Sequence, residues 1–404
     1  MADQIPVAVI GAGPAGLSVS HELAEAGVEH VVLERGRIGQ TWRARWDSFC
    51  LVTPNWTVQL PGGGYDGDDP DGFMPRDDIV AHFARYAASF GAPVREQTEV
   101  TSLAARDGGG FSMRTSGGDI RADRVVVASG AYQRPHRPAG ADQLPADLLA
   151  IDVEGYRNPE ALPPGPVLVV GSGQSGCQIA EELIEAGREV YLACGRAPWT
   201  YRTIGGRDLV WWAVETGFAE QRVSDLPAPQ ARLSANVLAS GRRGGHDLHL
   251  RTLRAAGVTL LGHFLGADGG VARFANDLAE SVAWGDAAYE QLNELIRRLV
   301  RERDLPMPEL AQPEPFDPTA PDRVDLAGFG AVIFSGGFRP DYRRWVDVPD
   351  AFDDLGFPVH SEGASLAAPG LYFVGVHFLR KRKSAVLFGM GEDATIVARQ
   401  IAEA

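Results

Sequence analysis

Short runs of apolar residues alternate along this chain with longer stretches in which apolar residues recur every three or four positions. The short runs are typical of buried parallel strands, and the longer stretches predict amphipathic helices. One strand–helix–strand pattern begins at residue 7, and a second pattern with the same spacing begins at residue 167. The two copies align without a gap, pairing Gly11 with Gly171, Gly16 with Gly176 and Gly27 with Gly187. The sequence therefore predicts two similar α/β units.

Each copy carries the motif Gly-x-Gly-x-x-Gly between its first strand and its helix. The first glycine allows a tight turn, the second lets the backbone approach a pyrophosphate, and the third lets the helix pack close to the strand. The helix then directs its free N–H groups and the positive end of its dipole at the phosphates. A glycine-rich turn without a ligand is the alternative, but the flanking strands favour a dinucleotide site in each copy. The candidate cofactor contacts are Gly11, Gly13, Pro14, Ala15 and Gly16 in the first copy and Gly171, Ser172, Gly173, Gln174, Ser175 and Gly176 in the second.

The residue that ends the second strand of each copy indicates which dinucleotide binds there. In the first copy it is Glu34, whose carboxylate suits a ribose diol and repels a 2′-phosphate, as the adenosine of FAD requires. In the second copy the position holds Cys194, and Arg196 follows, so that a guanidinium is available to pair with a phosphate. This favours NADPH over NADH, with an ordinary surface arginine as the alternative for Arg196. Two such sites in one chain indicate a flavoprotein that receives hydride from a nicotinamide.

The composition is that of a folded enzyme with two domains. The 404 residues are 45% hydrophobic and 23% charged, values that allow substantial cores and argue against disorder. The net charge of -15 makes nucleic acid an unsuitable partner. The three cysteines, Cys50, Cys177 and Cys194, are too far apart in sequence to suggest a disulfide framework, and we expect no metal site.

We expect a cytoplasmic protein that does not cross a membrane. No apolar run reaches the length of about 18 to 20 residues that a membrane-spanning helix needs. The first strand begins within about five residues of the start, which leaves no room for a signal peptide.

The order of elements predicts an α/β fold with two Rossmann-like domains, in which the NADPH domain is inserted into the FAD domain. We place the FAD domain at residues 1–160 and 326–404 and the NADPH domain at 161–325, with proline-rich crossings at 134–138 and 162–166. The closing strand and the last helix should rejoin the first sheet. The insert near residues 199–255 should form the substrate cavity.

Several motifs together resemble the flavin-containing monooxygenase family, the class B flavoprotein monooxygenases that include Baeyer–Villiger enzymes, and in particular its short bacterial members. They span nearly the whole chain and comprise Gly11–Gly16, Gly39–Trp42, Trp46–Ser48, Ala128–Gly130, Tyr156–Pro159 and Gly375–Asp393. The resemblance places further cofactor contacts at Arg35, Gln40, Trp42, Ser129, Gly130, Gly375 and Ser384.

The resemblance implies an NADPH-dependent FAD monooxygenase that acts on a small molecule. In this family NADPH reduces the flavin, and the reduced flavin and O2 form a C4a-(hydro)peroxide. The peroxide then transfers one oxygen in an N-, S- or Baeyer–Villiger-type oxidation. The cofactor supplies the chemistry, and the protein supplies positioning and a dry site. The residues do not indicate the substrate, and they leave a homodimer open.

The chain departs from the family at two places. Four positions of the usual fingerprint between the domains hold Ala146, Leu148, Asp152 and Tyr156, of which only the tyrosine fits the pattern. The family often has an asparagine beside the flavin where this chain has Val52. Thr53 and Asn55 lie close by and are the candidate catalytic hydrogen-bond donors, although Thr53 is equally suited to an ordinary strand or turn.

These departures keep other functions open. The chain could be a simple NADPH oxidase, or a flavin-binding module that no longer turns over and serves in redox sensing or partner binding. A pyridine-nucleotide disulfide reductase has the same two sites but needs a cysteine pair beside the flavin, which this sequence lacks.

Three further groups of residues have two readings each. Trp199, Tyr201, Trp211 and Trp212 could line a cavity, but at least two of them should pack in a core. Arg202 and Arg207 are weaker candidates for the 2′-phosphate. In the basic run Arg380–Lys383 a cation could stabilise the reduced, anionic flavin, but we expect most of the run to be a solvated loop.

Overall fold

A computed structural model describes residues 3–404. In this part of the chain, the helices surround two main sheets and bury their apolar faces against them. The α-helices are α1 Pro14–Glu25, α2 Gln40–Arg43, α3 Arg76–Ser89, α4 Gln174–Glu185, α5 Leu209–Glu215, α6 Leu250–Ala255, α7 Leu278–Glu302 and α8 Met390–Ala402.

The strands vary from two to ten residues in length. They are β1 Asp3–Ile10, β2 His30–Leu33, β3 Gln59–Leu60, β4 Gly63–Gly64, β5 Val94–Arg95, β6 Val100–Ala105, β7 Phe111–Thr115, β8 Gly118–Val127, β9 Arg134–Pro135, β10 Leu149–Asp152, β11 Val167–Val170, β12 Val190–Ala193, β13 Thr203–Ile204, β14 Arg207–Asp208, β15 Thr259–Leu261, β16 Phe264–Asp268, β17 Val271–Phe274, β18 Arg323–Asp325, β19 Ala331–Phe334, β20 Phe338–Arg339, β21 Val346–Asp347, β22 His360–Ser361, β23 Ala364–Ser365 and β24 Leu371–Phe373.

The first sheet has the order β21-β6-β7-β8-β1-β2-β5. Its centre is parallel, because β1 pairs in the same direction with β2 and with residues 120–127 of β8. The first half of β8 pairs antiparallel with β7, and the second half pairs parallel with β24. The tail of the chain therefore returns to the sheet that contains the first glycine motif.

The second sheet is parallel throughout and has the order β10-β19-β11-β12-β15. The membership of this sheet does not follow the domain boundaries that we placed at 160/161 and 325/326. Strand β10 precedes the first boundary and β19 follows the second, yet both belong to this sheet, where β19 lies between β10 and β11. The unit built on the second sheet therefore extends from before residue 149 to beyond residue 334.

Two short strands carry the chain between the sheets. Strands β9 and β20 pair antiparallel, and a Cβ at Gly336 would lie only 2.5 Å from the His136 carbonyl oxygen. Nearby, Trp46 comes from the first part of the chain but is 2% exposed within the core of the second sheet. The N–H of Asp47 also donates to the Arg157 carbonyl at 2.9 Å. The two units thus share a packed junction.

Within residues 3–404, no helix combines the length and the apolar composition needed to cross a bilayer.

Candidate functional site

The first glycine motif forms the turn between β1 and α1. Gly11 has a φ of +108°, and a Cβ there would lie 2.6 Å from the Ala128 carbonyl oxygen. A Cβ at Gly16 would lie 1.9 Å from the Gly11 carbonyl oxygen, whereas a Cβ at Gly13 would meet nothing within 4 Å. The first and third glycines are thus required by close packing, and open space remains in front of α1, whose first turn has no side-chain cap.

The second motif repeats this geometry between β11 and α4. Gly171 has a φ of +113° and faces the Ser335 carbonyl oxygen, which a Cβ would approach to 2.4 Å. A Cβ at Gly176 would lie 1.9 Å from the Gly171 carbonyl oxygen. The nearest atom to a Cβ at Gly173 would be the Ala235 methyl group at 3.7 Å. Both helices therefore present uncapped N-termini to open space, which is the arrangement that binds pyrophosphate groups.

Glu34 is fixed against the first glycine turn. The side chain is 6% exposed, and its two carboxylate oxygens accept the N–H groups of Ala12 at 2.8 Å and Gly36 at 2.9 Å. Each oxygen keeps a second lone pair, so the carboxylate can also accept hydrogen bonds from a diol beside the turn.

The second copy replaces this carboxylate with neutral groups. The Ser172 hydroxyl links the turn to Gly195, accepting its N–H at 2.9 Å and donating to its carbonyl at 3.1 Å. Cys194 is buried, and burial raises the pKa of its thiol to about 12, so it carries no charge. Arg196 is exposed, and its guanidinium has no hydrogen bond to any residue of the described chain. Ser172 and Cys194 therefore bring no negative charge to the second turn, and the cation Arg196 follows two residues after Cys194.

His263 is a residue that the sequence analysis missed. A Cβ at Gly195 would lie 3.2 Å from its Nε2, and its Nδ1 is 2.6 Å from the Asp277 carboxylate. The pairing with Asp277 orients the ring so that Nε2 faces the second turn. A lone histidine at the end of a short strand gives no signal in the sequence that could have indicated this position.

The residues predicted around the first dinucleotide site lie on one side of the first turn. The N–H of Gly39 donates to the Ala12 carbonyl at 3.0 Å, which brings α2 to the turn. Trp42 packs edge-on against Phe49 and Phe83, with centroids 6.0 and 5.5 Å away. Trp42 thus takes part in packing. Of the other two predicted contacts, Gln40 accepts the N–H of Arg37 at 3.1 Å, and Arg35 is exposed.

The end of β8 and the segment after β24 complete this side of the site. Gly375 has a φ of +73°, and a Cβ there would lie 2.7 Å from the Ala15 Cβ, so a glycine lets this segment touch the start of α1. Ser129 is exposed, and the Gly130 carbonyl accepts the side-chain amide of Gln133 at 2.9 Å.

Ser384 differs from the sequence prediction, which made it a cofactor contact. It is 1% exposed, and its hydroxyl oxygen accepts the N–H groups of Arg380 and Lys381, both at 3.1 Å. Its hydroxyl closes the turn before α8. The structure therefore gives this serine a structural role within its own loop.

Thr53 and Asn55, the candidate catalytic donors, are engaged in internal hydrogen bonds. The Thr57 hydroxyl donates to the Pro54 carbonyl at 2.7 Å, so the Thr53 hydroxyl, 2.8 Å from Thr57 Oγ1, is the donor of that pair. Asn55 is 3% exposed, donates from Nδ2 to the Asp69 carbonyl at 2.9 Å and accepts the Met74 N–H at 2.7 Å. Asn55 closes the loop between Asp69 and Met74 with its Oδ1 and one of its two N–H groups, and the Thr53 hydroxyl is used within its own turn.

Replacing Asn55 with alanine should lower the free energy of unfolding by about 2–3 kcal/mol, because it leaves a buried N–H and a carbonyl without partners. Chemical denaturation with saturating FAD measures the change. Gln59→Ala is the matched control, because it removes an exposed amide hydrogen bond to Trp56 and should change the same quantity by less than about 0.5 kcal/mol. An N55A variant as stable as the parent would contradict this role.

Arg202, one of the weaker candidates for the 2′-phosphate, is 5% exposed and turned towards the first unit. Its guanidinium donates to the Val52 carbonyl at 2.7 Å and pairs with Asp208 at 2.6 Å. It also lies 4.4 Å from the centroid of Phe73. Arg202 therefore joins the insert to the segment that follows Cys50, and a 2′-phosphate cannot reach it there.

The aromatic cluster of the insert belongs mainly to the core. Trp199 is 4% exposed and stacks on Tyr289 with centroids 4.6 Å apart, and Trp212 is 7% exposed. At least two of the four aromatic residues therefore pack in the interior, as we predicted.

We predicted that the basic run Arg380–Lys383 would be mostly a solvated loop, but its side chains are held by defined partners. Lys381 and Lys383 both pair with Glu220 and Glu392, and Arg382 lies over the ring of Phe218 at 4.2 Å. These contacts connect the insert of the second unit to the turn before α8. Since Glu220 lies about 160 residues before the run and Glu392 lies in the following helix, the run gave no sequence signal of this shared pairing.

Comparisons with known proteins agree with this geometry. The sequence profile of pyridine nucleotide-disulphide oxidoreductases matches residues 8–205. The CzcO-like oxidoreductase of Geobacillus kaustophilus is 31% identical over 399 residues, which cover 98% of each chain. Indole-3-pyruvate monooxygenase YUCCA1 of Oryza sativa is 34% identical over 193 residues, which cover 45% of this chain and 46% of that protein. The near full-length match to an oxidoreductase decides the family.

The chain belongs to the CzcO-like oxidoreductases, which are flavoproteins related to the flavin-containing monooxygenases. The predicted family and the predicted cofactors, FAD and NADPH, are confirmed at the level of this family. A flavin-containing monooxygenase from Stenotrophomonas maltophilia has the same fold, with a TM-score of 0.69 at 19% identity and 99% of each chain covered. The predicted Rossmann-type α/β fold of the oxidoreductase is thereby confirmed as well.

The oxidoreductase has no cysteine pair that could act as in a disulfide reductase. Cys50, Cys177 and Cys194 are all free and buried. Burial raises the pKa of the Cys50 thiol to about 11 and raises that of Cys177 well above its usual value. None of the three is poised as a reactive thiolate, since such a cysteine needs a lowered pKa and exposure.

Tyr156, the surviving residue of the degraded fingerprint, is an anchor in the core of the second unit of the oxidoreductase. It is fully buried, and its hydroxyl donates to Glu182 of α4 at 2.9 Å. Asp152 pairs with Arg137 at 2.8 Å at the end of β10. The segment between the units is therefore held by its own contacts, although three fingerprint positions differ from the family.

Proposed function

We propose that this oxidoreductase uses NADPH and O2 to insert one oxygen atom into a small organic molecule. NADPH supplies two electrons, one oxygen atom enters the substrate, and the other leaves as water. The observation that carries the proposal is the repetition of one glycine-turn geometry in two sheets, with a carboxylate beside the first turn and a free arginine beside the second. Such a pair fits two adenine dinucleotides that differ in a 2′-phosphate.

FAD fits the first turn. The uncapped N-terminus of α1 and the open space at Gly13 suit a pyrophosphate, and the fixed carboxylate of Glu34 suits the ribose diol. When bound, FAD accepts the hydride and activates O2. The chain around it would orient the cofactor and exclude water, with Gly375 closing against the start of α1 and Trp42 of α2 packed against Phe83 of α3.

NADPH fits the second turn. The N-terminus of α4 faces the open space at Gly173, and Ser172 holds Gly195 without adding negative charge. Arg196 and His263 then lie where a 2′-phosphate of the adenosine would be neutralised. We include His263 among the proposed NADPH contacts on this ground.

The experiment compares NADPH consumption with hydrogen peroxide release in air, with and without candidate substrates. A monooxygenase should consume NADPH in proportion to the oxygenated product and release little peroxide when a substrate is present. A flavin that is reduced but never yields an oxygenated product with amines, sulfides, ketones or oxo acids would contradict the proposal. The flavin C4a-(hydro)peroxide that we expect from the family resemblance remains part of this proposal.

An NADPH oxidase is the second candidate, and one observation favours it. The Thr53 hydroxyl is engaged within its turn, and Asn55 is 3% exposed and bonded to its own loop at both polar atoms, which leaves little from either side chain to protect activated oxygen. Peroxide release equal to NADPH consumption under all conditions would support this function. A redox-sensing module that does not turn over would show negligible NADPH consumption by the FAD-loaded protein.

The assembly and the location of the protein are further proposals. We propose a cytoplasmic enzyme, and sedimentation of the FAD-loaded protein would determine whether it forms the homodimer that the sequence leaves open. The net charge of -15 supports a partner other than nucleic acid.

A further inference from the structure

Three polar side chains from distant parts of the chain meet at the junction of the two units. They are Arg45, which follows α2, Tyr132, which precedes β9, and His377, which follows β24. The Arg45 guanidinium lies 5.4 Å from the centroid of the Tyr132 ring, and this ring lies 5.1 Å from that of His377. Among residues 3–404, none of the three side chains has a hydrogen-bond partner.

Aromatic rings form the walls around these groups. The Arg45 guanidinium also lies 5.8 Å from the ring of Phe49, and the ring of Phe338 is 5.3 Å from that of Tyr132. Tyr132 is 40% exposed, and yet burial raises the pKa of its phenol. Tyr132 therefore lines the open side of a crevice whose walls are these rings.

Arg45 is the one charged group among the three side chains of the crevice. Burial lowers the pKa of His377 to about 4, so its imidazole is neutral at physiological pH, as is the phenol of Tyr132. Burial also lowers the pKa of Arg45, but a guanidinium remains protonated. Glu154 is the carboxylate that acts on Arg45, and it does not form an ion pair with it within 4 Å. One cation and two neutral polar groups thus face one space between aromatic walls.

The crevice borders the first turn but does not belong to it. Phe338 lies on β20, the strand that returns from the second unit, and Phe49 packs against the cores of both units. His377 lies two residues beyond Gly375, which touches the start of α1. A molecule in this crevice would therefore contact both units beside the proposed FAD site, where a substrate must meet the cofactor.

We propose that Arg45, Tyr132 and His377 form the subsite for the carboxylate of a small organic acid, and that the substrate class of this enzyme is an aromatic or aliphatic acid. The inference rests on the proposed monooxygenase function and names its substrate. Arg45 would bind the carboxylate in the fork geometry of a guanidinium, with Tyr132 and His377 as neutral hydrogen-bond donors. Phe49 and Phe338 would cover the apolar part of the molecule.

The charge of the crevice favours a carboxylate over a cofactor phosphate. A pyrophosphate carries two negative charges and already has the N-terminus of a helix at each glycine turn. A single guanidinium between aromatic rings matches one carboxylate attached to an apolar body. The apolar walls would add little to the binding of a phosphate group.

The experiment uses the FAD-loaded protein with benzoate and benzamide as probes, which have the same shape and differ in charge. Binding is followed by isothermal titration and by the change in the flavin absorbance spectrum. Benzoate should bind at least about tenfold more tightly than benzamide, since a hydrogen bond to a charged group is stronger than a neutral one. Arg45→Gln should remove the difference, and Arg45→Lys should keep part of it.

Two controls separate the subsite from general effects. Tyr132→Phe removes only a hydroxyl and should weaken benzoate binding more than benzamide binding, which tests the subsite even if an Arg45 variant folds poorly. Arg121→Gln changes an exposed arginine of β8 and should leave both affinities unchanged. FAD content and the Michaelis constant for NADPH are measured in every variant and should not change.

The outcomes decide between three accounts. Equal affinity for benzoate and benzamide in the parent protein would overturn the proposal. Loss of FAD or a raised Michaelis constant for NADPH in R45Q, with the probe preference retained, would also overturn it and assign Arg45 to a cofactor phosphate. A retained probe preference without any oxygenated product would support the subsite and would contradict the proposed function instead.

Discussion

Gly16→Ala should yield a folded protein that has lost FAD, whereas Gly176→Ala should stay yellow and lose its affinity for NADPH. In each variant the new Cβ would lie 1.9 Å from the carbonyl oxygen of the first glycine in its turn, so the helix must move away from the strand. Overpacking of this kind costs about 1–3 kcal/mol, which corresponds to cofactor binding weaker by about ten- to a hundredfold. The pair is matched, because the same change is made at equivalent positions of two sheets.

Retained FAD after gel filtration and the dissociation constant from flavin fluorescence measure the first effect, and steady-state kinetics measure the second. Circular dichroism verifies that both variants are folded. A reversed pattern, in which G176A is colourless and G16A remains yellow, would exchange the proposed sites. Equal loss of FAD in both variants would show that the two units do not bind their cofactors independently.

Arg196→Ala should raise the Michaelis constant for NADPH by about ten- to a hundredfold and change that for NADH by less than about twofold, since a charge-assisted hydrogen bond contributes about 1.5–3 kcal/mol. The reason is that Arg196 is exposed beside a turn whose other groups, Ser172 and Cys194, carry no charge. NADPH carries a 2′-phosphate that would lose its guanidinium partner in this variant, whereas NADH has no such phosphate.

Arg273→Ala is the control for this substitution, because it removes another exposed arginine of the second unit, on β17. It should leave both Michaelis constants unchanged. An equal change for NADPH and NADH in R196A would mean that Arg196 does not contact the 2′-phosphate. In that case His263→Ala becomes the informative variant, since its Nε2 faces the same turn.

The repeated units could be predicted from the sequence because their signals are local. A strand, a glycine turn and a helix are encoded within about 30 residues, and this order fixes the direction of α1 and α4 relative to their strands. The bounds agree closely for several elements. The strand–helix–strand pattern predicted from residue 7 is β1, α1 and β2, and the one predicted from residue 167 is β11, α4 and β12.

The allocation of strands to sheets could not be predicted in the same way. Strand β19 is an apolar run that would suit either sheet, and its partners β10 and β11 are far away in sequence. Our boundary at 325/326 lies before β19, whereas the hydrogen-bonded ladder places this strand in the second sheet. A local pattern shows that a strand is buried but not which neighbours bury it.

The same reason explains the errors at the site. Asn55 has the right chemistry for a catalytic donor, but its partners lie in a loop 14 and 19 residues further along the chain, and they use both of its polar atoms. The Ser384 hydroxyl oxygen accepts two N–H groups of the turn that contains it. Arg45, Tyr132 and His377 were not recognised, because three segments separated by many residues come together only in the folded chain.

The central claim is that electrons pass from NADPH at the second turn to FAD at the first. Anaerobic titration of the purified, FAD-loaded protein with NADPH tests it most directly. The account predicts that the yellow absorbance of the flavin disappears as NADPH is added, that NADH does the same much less effectively, and that the colour returns when air is admitted. A protein that takes up no FAD, or whose bound FAD stays oxidised with excess NADPH, would contradict it.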